Sequence, residues 1–437
     1  MGRLFGTDGV RGTYGETLTD DLARSLGAAA ARVLGAEHDS PRILIGRDTR
    51  ASGPALERAL AAGIAVAGAE ALSVGVMPSA GVAHLVRVTG AAAGAVISAS
   101  HNPARDNGIK FFGHDGMKLA DAIEDQIEEE LAPVKIADGE VAELEDADER
   151  YEDFLLEGEP SLAGLRVVVD CANGAASLVA PEVYRRAGAD VSVLFADPDG
   201  TNINDGCGST HPEHLQRMVR EHGAHLGIAH DGDADRFIAV DEHGELVDGD
   251  QILGICAIDA RARGRLPADA VVTTVMANLG FRRAMEREHI RVVETKVGDR
   301  NVLAAMLEQG IVMGGEQSGH IMFLDRHTTG DGILTALRLL DVIVRSGRGL
   351  HDLAKAVPRF PQVLLNVRVK DRDGLPEAQP IWDEVRLVAG ELDEDGRVLV
   401  RASGTEPVVR VMVEATSADL ARAAAERVAG VIERTLA

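Results

Sequence analysis

Two short stretches, far apart in the chain, carry side chains that suit one chemistry. Ser98-Ala99-Ser100-His101-Asn102-Pro103 puts a hydroxyl on a loop after an apolar run, and Asp231-Gly232-Asp233-Ala234-Asp235-Arg236 puts carboxylates at alternate positions. In an extended loop alternate side chains point to the same side, so the three Asp residues are expected to face one point. They repel there unless a cation lies between them. Oxygen-only donors favour Mg²⁺ or Ca²⁺, and Mg²⁺ characteristically combines few carboxylates with a phosphate oxygen. Together the motifs suit a phosphorylated Ser100 held by a hard divalent cation.

Other readings of these residues fit less well. Asp231, Asp233, Asp235 and Glu242 match four ligand positions of an EF-hand loop, but Arg236 stands where its tight turn needs Gly. The flanks, 226–229 and 237–240, also read as strands where an EF-hand has helices. Ser100-His101 invites a hydrolase reading, yet no G-x-S-x-G elbow is present. Adjacent residues are also expected rarely to set an imidazole against their own neighbour's hydroxyl.

Further polar groups surround these motifs in the sequence. Lys110 offers a cation that offsets phosphoryl charge. Loops bearing Gly and Arg recur: 5–12 with Arg11, 46–53 with Arg47 and Arg50, and Arg401-Ala402-Ser403-Gly404-Thr405-Glu406-Pro407 with Arg410 just beyond. The last is a plausible phosphate cradle, since it gathers a guanidinium, two hydroxyls and a Gly-freed backbone N–H. Taken alone, any such loop also reads as a solvated turn. Gly314-Gly315-Glu316-Gln317-Ser318-Gly319-His320 brings together the donors and acceptors that a sugar's hydroxyls need, and Glu316 and His320 suit acid or base roles.

The elements that must position these loops follow an α/β rhythm. Helices are expected over 20–34, 54–67 and 79–89, alternating with strands over 42–45, 71–76 and 93–97. These strands are too apolar to be half-exposed, so a sheet covered by helices is expected. A charged stretch, 124–153, leads out with a closing helix and a linker. The pattern restarts at 165–170, with helices over 181–187 and 212–222, and strands over 191–195 and 226–229 that deliver the Asp loop. A third round has helices over 251–263 and 331–344, with strands over 270–276, 290–294 and 311–313. From Pro361 the texture changes to strands over 363–370, 398–401 and 408–415 with helices near 376–388 and over 418–436. That suggests a smaller α+β domain with antiparallel pairing. The expected division is 1–150, 155–250, 251–360 and 361–437.

Bulk composition narrows the function. At 437 residues the chain exceeds a single core. A net charge of −25 argues against nucleic acid as a partner, because little would offset phosphate repulsion. A phosphorylated small substrate must then meet local cations. Only six of the basic residues are Lys, a bias that fits halophily or genome composition as well as function. Cys171, Cys207 and Cys256 form no metal spacing, and their odd number fits a reducing compartment. No basic segment precedes an apolar stretch, and no long apolar run occurs, so a cytoplasmic location without a membrane partner is expected.

At this point the residues resemble the α-D-phosphohexomutase superfamily, over essentially the whole chain from Phe5 to about Val413. Four landmark loops stand in that superfamily's order: the Ser100 loop, the Asp231–Asp235 loop, the Glu316–Ser318 loop and the Arg401–Thr405 loop. The stretches 5–12, 202–212, 316–320 and 328–332 look like its phosphoglucosamine branch. Ala402 and Ala277 depart from it where Pro and Ser are common, neither removing a phosphate-handling group. The resemblance implies three successive α/β/α domains with mixed sheets and a smaller C-terminal α+β domain around a central cleft. It implies Mg²⁺, one per subunit, on Asp231, Asp233, Asp235 and a phosphate oxygen on Ser100. It further implies phosphoryl exchange between the 6- and 1-positions of glucosamine phosphate through a 1,6-bisphosphate. A hexosamine or glucose 1,6-bisphosphate would serve as activator. By the same token His101, Lys110, Arg236 and His320 are candidate catalytic groups, and Arg11, Glu316, Ser318, Arg401, Ser403, Gly404, Thr405 and Arg410 would bind substrate. The expected partners are sugar phosphates, with the protein a monomer or homodimer. A phosphomannomutase/phosphoglucomutase activity is the alternative. A phosphatase releasing the phosphoserine to water and a non-catalytic sensor remain further alternatives, the sensor having no need for a phosphate-accepting serine.

Overall fold

The computed structural model describes residues 3–6, 8–136, 141–403 and 407–436. It divides into two compact units, residues 1–276 with 288–356, and 277–287 with 357–437.

Three sheets lie in the first unit. The first has six strands, in the order Val10–Thr13, Asp106–Gly113, Ala93–Ile97, Arg42–Arg47, Glu70–Val76, Ala142–Glu143. Its central strands run parallel, and Asp106–Gly113 returns antiparallel to both of its neighbours. Ala93–Ile97 is buried along its whole length, as its apolar run demands in a sheet covered on both faces. The second sheet has the order Leu246–Val247, Phe237–Asp241, Leu226–His230, Arg166–Asp170, Asp190–Leu194. Leu226–His230 lies parallel to Arg166–Asp170 and antiparallel to Phe237–Asp241, so the Asp motif forms the connection between two antiparallel strands. The third sheet orders Arg291–Thr295, Ala270–Thr274, Met313–Gly315 and Ile321–Phe323. Its last pair is antiparallel, and the Glu316–His320 loop joins the two strands.

Helix starts follow side-chain chemistry. Thr19 accepts from the Leu22 N–H at the head of Asp20–Leu34, and Asp248 accepts from the Gln251 N–H at the head of Gly249–Ala262. Asp331 accepts from both Ile333 and Leu334 N–H groups and starts Gly332–Ser346.

Several expectations need correction. The helix expected from Pro181 begins at Ala176, with Pro181 inside it. Pro favours the first helical turn, but Val179, Ala180, Val183 and Tyr184 share one buried stripe here, and that packing outweighs the lost backbone bond. Val10–Thr13, Asp106–Gly113 and Asp299–Gln309 are elements the sequence reading left out. The first two hold Gly and polar residues that mask a strand signal until the pairing between them is visible.

The second unit holds a three-stranded antiparallel sheet, Gln362–Arg368, Val408–Ala415 and Gly396–Ala402, with Val408–Ala415 in the middle. Helices Gln379–Leu392 and Ala418–Leu436 contribute Ile381, Val388, Val428 and Ile432 to its core. Helix Leu279–Arg287 also belongs to this unit. Glu414, wholly buried, explains part of that grouping: its carboxylate accepts from the Leu279 N–H at 3.0 Å, from Asn278 Nδ2 at 3.3 Å and from Arg397 Nε at 3.0 Å. Among the described residues no helix is long and apolar enough to cross a membrane.

Candidate active site

The Ser100 and Asp motifs meet in the first unit. Ser100 Oγ donates to Asp231 Oδ2 at 2.5 Å. Gly232 lies so close to the serine loop that a Cβ there would stand 2.5 Å from the Ser100 carbonyl oxygen, so only glycine allows the approach. The Asp residues do not converge by extended alternation, as expected from sequence. The Ala234 N–H donates to the Asp231 carbonyl at 3.1 Å and Ala234 sits at φ 58°, so a turn gathers them. Ser100 likewise has a left-handed φ of 50°, a conformation that costs roughly 1–3 kcal/mol for a non-glycine residue and persists where surroundings over-determine it.

The expectation about His101 is also overturned. Its Nδ1 lies 3.2 Å from Ser100 Oγ, at the left-handed Ser100. Burial, then the Arg236 and Arg11 guanidinium groups, push the imidazole down to about 4, so it is neutral at pH 7.

The carboxylates form a buried set. Oxygens of Asp231, Asp233 and Asp235 lie within 4.8 Å of one another. Asp233 Oδ2 accepts from Lys110 Nζ and Ser79 Oγ, both at 2.6 Å. Burial would raise the Asp233 carboxyl, but Lys110 and these hydrogen bonds outweigh it and hold the group ionised. Asp231 goes the other way: burial first, then Asp235 and Asp233, drive its carboxyl well above the usual range. Asp233 Oδ1 and Asp235 Oδ1 are buried with no hydrogen-bond partner among the described residues. An unsatisfied buried polar atom costs about 1–3 kcal/mol, more when charged. A cation between the three groups would satisfy both atoms and remove the repulsion, so the donor set fits a hard divalent metal.

A cleft of about 450 Å³ opens beside this set. Ser100, His101, Asp235, Arg236, Arg11, Glu316 and His320, all expected from sequence, line it. Arg11 donates to Asp8 Oδ2 at 2.5 Å and to the Ala99 carbonyl at 3.3 Å. Arg236 and His320 form a β-bridge, and Phe237 N–H donates to the Gly319 carbonyl at 3.0 Å, so the Asp loop and the Glu316 loop are stitched together. Gly319 has φ 91°, and a Cβ there would stand 2.2 Å from the Phe237 carbonyl oxygen. Glu316 Oε1 accepts from the Gly298 N–H at 3.1 Å. Ser318 Oγ and both ring nitrogens of His320 are buried without a hydrogen-bond partner among the described residues.

Lys110 and the cleft are separated by role. Its ammonium sits against Asp233, with Asp235 at 3.6 Å and Asp8 at 3.8 Å. It therefore anchors the Asp loop. The lysine lining the cleft is Lys118, between Asp8 at 2.7 Å and Asp299, with which it also pairs. Burial opposes its charge, but Asp299 and Asp8 prevail and keep it protonated. Lys118, Asp8 and Asp299 escaped the sequence reading; the glycine-flanked Gly298-Asp299 step and the Asp8 in the first Gly-Arg loop were the available signals.

The Gly46–Gly53 loop is neither an anion cradle nor a solvated turn. Arg50 is fully buried, paired with Asp48 at 2.9 Å, and turned to backbone carbonyls of the serine loop.

In the second unit, Arg401 and Arg410 face each other across paired strands. Like charges directly opposite are unfavourable, and burial, then Arg410, pull the Arg401 guanidinium below its ordinary value. Ser403 is buried, its carbonyl accepting from Arg372 at 2.9 Å. Gly404 and Thr405 lie outside the described residues.

A hydroxyl beside a metal-fitting carboxylate set, in a polar cleft between loops of three sheets, has the groups that phosphoryl transfer requires. Comparison with known proteins agrees. Family models for phosphoglucomutase/phosphomannomutase match in order: alpha/beta/alpha domain I over 2–135, domain II over 149–244, domain III over 248–360 and the C-terminal domain over 364–431. The chain is 53% identical to a phosphoglucosamine mutase of Carboxydothermus hydrogenoformans, covering 99% of this chain and 100% of that one. It is 53% identical to another from Saccharopolyspora erythraea, covering 99% of each. A solved phosphoglucomutase/phosphomannomutase family protein from Burkholderia thailandensis superposes with a TM-score of 0.83 at 25% identity, covering 99% of this chain and 97% of the other. An Aspergillus fumigatus N-acetylphosphoglucosamine mutase, solved with GlcNAc-6P and magnesium, shares the fold at a TM-score of 0.68 and 18% identity over 99% and 96% of the two chains. The chain belongs to the phosphoglucomutase/phosphomannomutase family and, within it, to the phosphoglucosamine mutases.

Proposed function

We propose that the protein interconverts glucosamine 6-phosphate and glucosamine 1-phosphate, with Ser100 carrying the phosphoryl group between them. One observation carries this reading: the Ser100 hydroxyl lies against a buried carboxylate set with orphaned oxygens, at the wall of a polar cleft. Ser100 gives its phosphoryl group to the free hydroxyl of the sugar phosphate, forming a 1,6-bisphosphate, and takes back the other phosphoryl group after the intermediate has turned over. Asp231, Asp233 and Asp235 would hold Mg²⁺, which when bound withdraws charge from the transferring group as a Lewis acid. Lys118, held protonated in the cleft, would neutralise phosphate oxygens. His320 and neutral His101 are the proton-handling candidates. Arg11 and Arg236 face the reacting end of the sugar phosphate, and Glu316 and Ser318 its hydroxyls or amine. A hexosamine or glucose 1,6-bisphosphate would load an unphosphorylated Ser100. The working division is 1–150, 155–250, 251–360 and 361–437, one loop from each. A cytoplasmic monomer or homodimer acting on small sugar phosphates completes the reading.

Arg401, Ser403, Gly404, Thr405 and Arg410 are assigned the phosphate that is not reacting. Two guanidinium groups facing each other favour an anion there. Arg401→Ala should raise the Michaelis constant for sugar phosphate about ten- to a hundredfold, the scale of a charge-assisted hydrogen bond. Steady-state kinetics check it; an unchanged Michaelis constant and turnover would remove Arg401 from the site.

The preference for an amine at C2 rests on the Glu316 carboxylate and the 53% identity to curated phosphoglucosamine mutases. A C2 hydroxyl makes some of the same bonds, so glucose phosphate should react more slowly. One unpaired buried polar group predicts a preference of roughly ten- to a hundredfold. Competition between glucosamine 6-phosphate and glucose 6-phosphate in one vessel gives the ratio of kcat/KM values. A ratio at or below one would favour the phosphomannomutase/phosphoglucomutase alternative.

A further inference from the structure

Ser100 is held from behind by groups that never reach the cleft. Arg50 Nη2 donates to the carbonyls of Ser100 at 3.0 Å and Asn102 at 2.9 Å, and Nη1 to that of Pro103 at 2.5 Å. Asn204 Nδ2 donates to the same Ser100 and Asn102 carbonyls, at 2.9 and 3.1 Å. On the other side of the residue, the Ser100 N–H donates to Ser98 Oγ at 2.9 Å, and Ser98 Oγ donates to Asp48 Oδ2 at 2.6 Å. Asp48 Oδ2 also accepts from Arg50 Nε at 2.9 Å. One buried ion pair thus grips both the carbonyl and the N–H of a residue kept in a left-handed conformation. None of Asp48, Arg50 and Asn204 lines the cleft.

We propose that Asp48, Arg50 and Asn204 are positioning residues that keep Ser100 aimed for phosphoryl recapture, and so decide whether the bisphosphate is converted or lost. The inference rests on the Ser100 reading above. In recapture, the bond between phosphorus and the sugar oxygen breaks as the bond to Ser100 Oγ forms. The proton leaving Oγ is balanced by the one the sugar oxygen gains. A Ser100 that wanders slows this step but leaves dissociation of the bisphosphate unchanged. More intermediate then escapes, and the enzyme is left dephosphorylated until bisphosphate returns from solution.

Two variants test the idea separately. Arg50→Lys keeps a charge for Asp48, but one ammonium cannot span the carbonyls that the guanidinium fork reaches. Asn204→Gly removes the other donor without backbone strain, since Asn204 itself has φ 57°. Turnover of glucosamine 6-phosphate without added bisphosphate should fall about a hundredfold in either, the scale of an ångström of misplacement. KM should stay within about twofold, because the variants remove no binding contact. Saturating glucose 1,6-bisphosphate should restore the part of the rate lost to escape but not all of it, since reloading uses the same slowed transfer, and free bisphosphate should accumulate from phosphorylated enzyme given glucosamine 6-phosphate. A purely structural role would lower activity without that rescue or that release. Unchanged turnover, or a loss that bisphosphate does not relieve, overturns the proposal. If melting curves show Arg50→Lys unfolded, Asn204→Gly decides, since it leaves the buried ion pair intact. Failure of the underlying reading looks different: wild-type enzyme would then take no labelled phosphate onto Ser100.

Discussion

Ser100→Ala abolishes mutase turnover, by on the order of 10⁵-fold, the scale of removing a covalent nucleophile. Among the described residues no other hydroxyl lines the cleft, and the thiols of Cys171, Cys207 and Cys256 are buried away from it. The variant should stay folded. Asp231 keeps its bond from the Arg236 N–H at 3.2 Å, and the loop keeps its carbonyl bonds to Arg50 and Asn204. Intact-protein mass spectrometry should find a phosphate on a fraction of wild-type molecules and none on the variant. Residual turnover near the wild-type rate would place the phosphoryl carrier elsewhere.

The next largest effect is expected at the carboxylates. Asp235→Asn is the cleanest change, since Asp235 lies 3.6 Å from Lys110 where Asp233 makes the close pair, so the buried ammonium keeps its main partner. A Lewis acid worth several kcal/mol corresponds to about three decades in rate. Turnover should fall by that order, and chelation of the wild type by EDTA should do at least as much, with Mg²⁺ restoring it. Thermal melting supplies a second readout. An ion bound only by the native state stabilises by about 2.7 kcal/mol at a hundredfold excess over its Kd, so Mg²⁺ should raise the wild-type Tm and leave Asp235→Asn nearly unmoved. Wild-type rates in chelator would contradict the assignment.

The parts of the site that were legible in the sequence are those whose chemistry is contiguous. Ser100 with its neighbours and the alternate Asp residues announce themselves within six residues each. Their meeting needed no structure to foresee, because charge repulsion and phosphate chemistry demand a common cation. How they meet was less accessible. The Asp motif turns at Ala234 where alternation suggested an extended loop, and His101 reaches Ser100 at a backbone angle that no residue type there announces. Arg50 shows the limit most clearly. In sequence it is one more arginine in a glycine-bearing loop, which reads as an anion site or as a solvated turn. Whether such a guanidinium faces a phosphate or three carbonyls depends on which strand end lies across from it. Lys110 and Lys118 pose the same problem: the nearer lysine in sequence fixes the Asp loop, and the further one lines the cleft. Sheet order, too, was hidden where strands are short and glycine-bearing, as in Val10–Thr13.

Helix Leu279–Arg287 has a consequence for biosynthesis. Its first turns meet residues that lie well beyond it in the chain, the Leu279 N–H donating to Glu414 and the Arg283 guanidinium lying over the Phe360 ring, so the ribosome delivers it before these partners. At roughly 5–20 residues per second the Leu279 N–H waits several seconds for its acceptor. Glu414, which receives the Leu279 N–H, arrives almost last. The C-terminal unit therefore cannot complete itself as a tail added to a finished body. It draws on a segment from upstream, and a stop codon or ribosomal stall before Glu414 would leave the Leu279 N–H and the Arg397 guanidinium without that carboxylate.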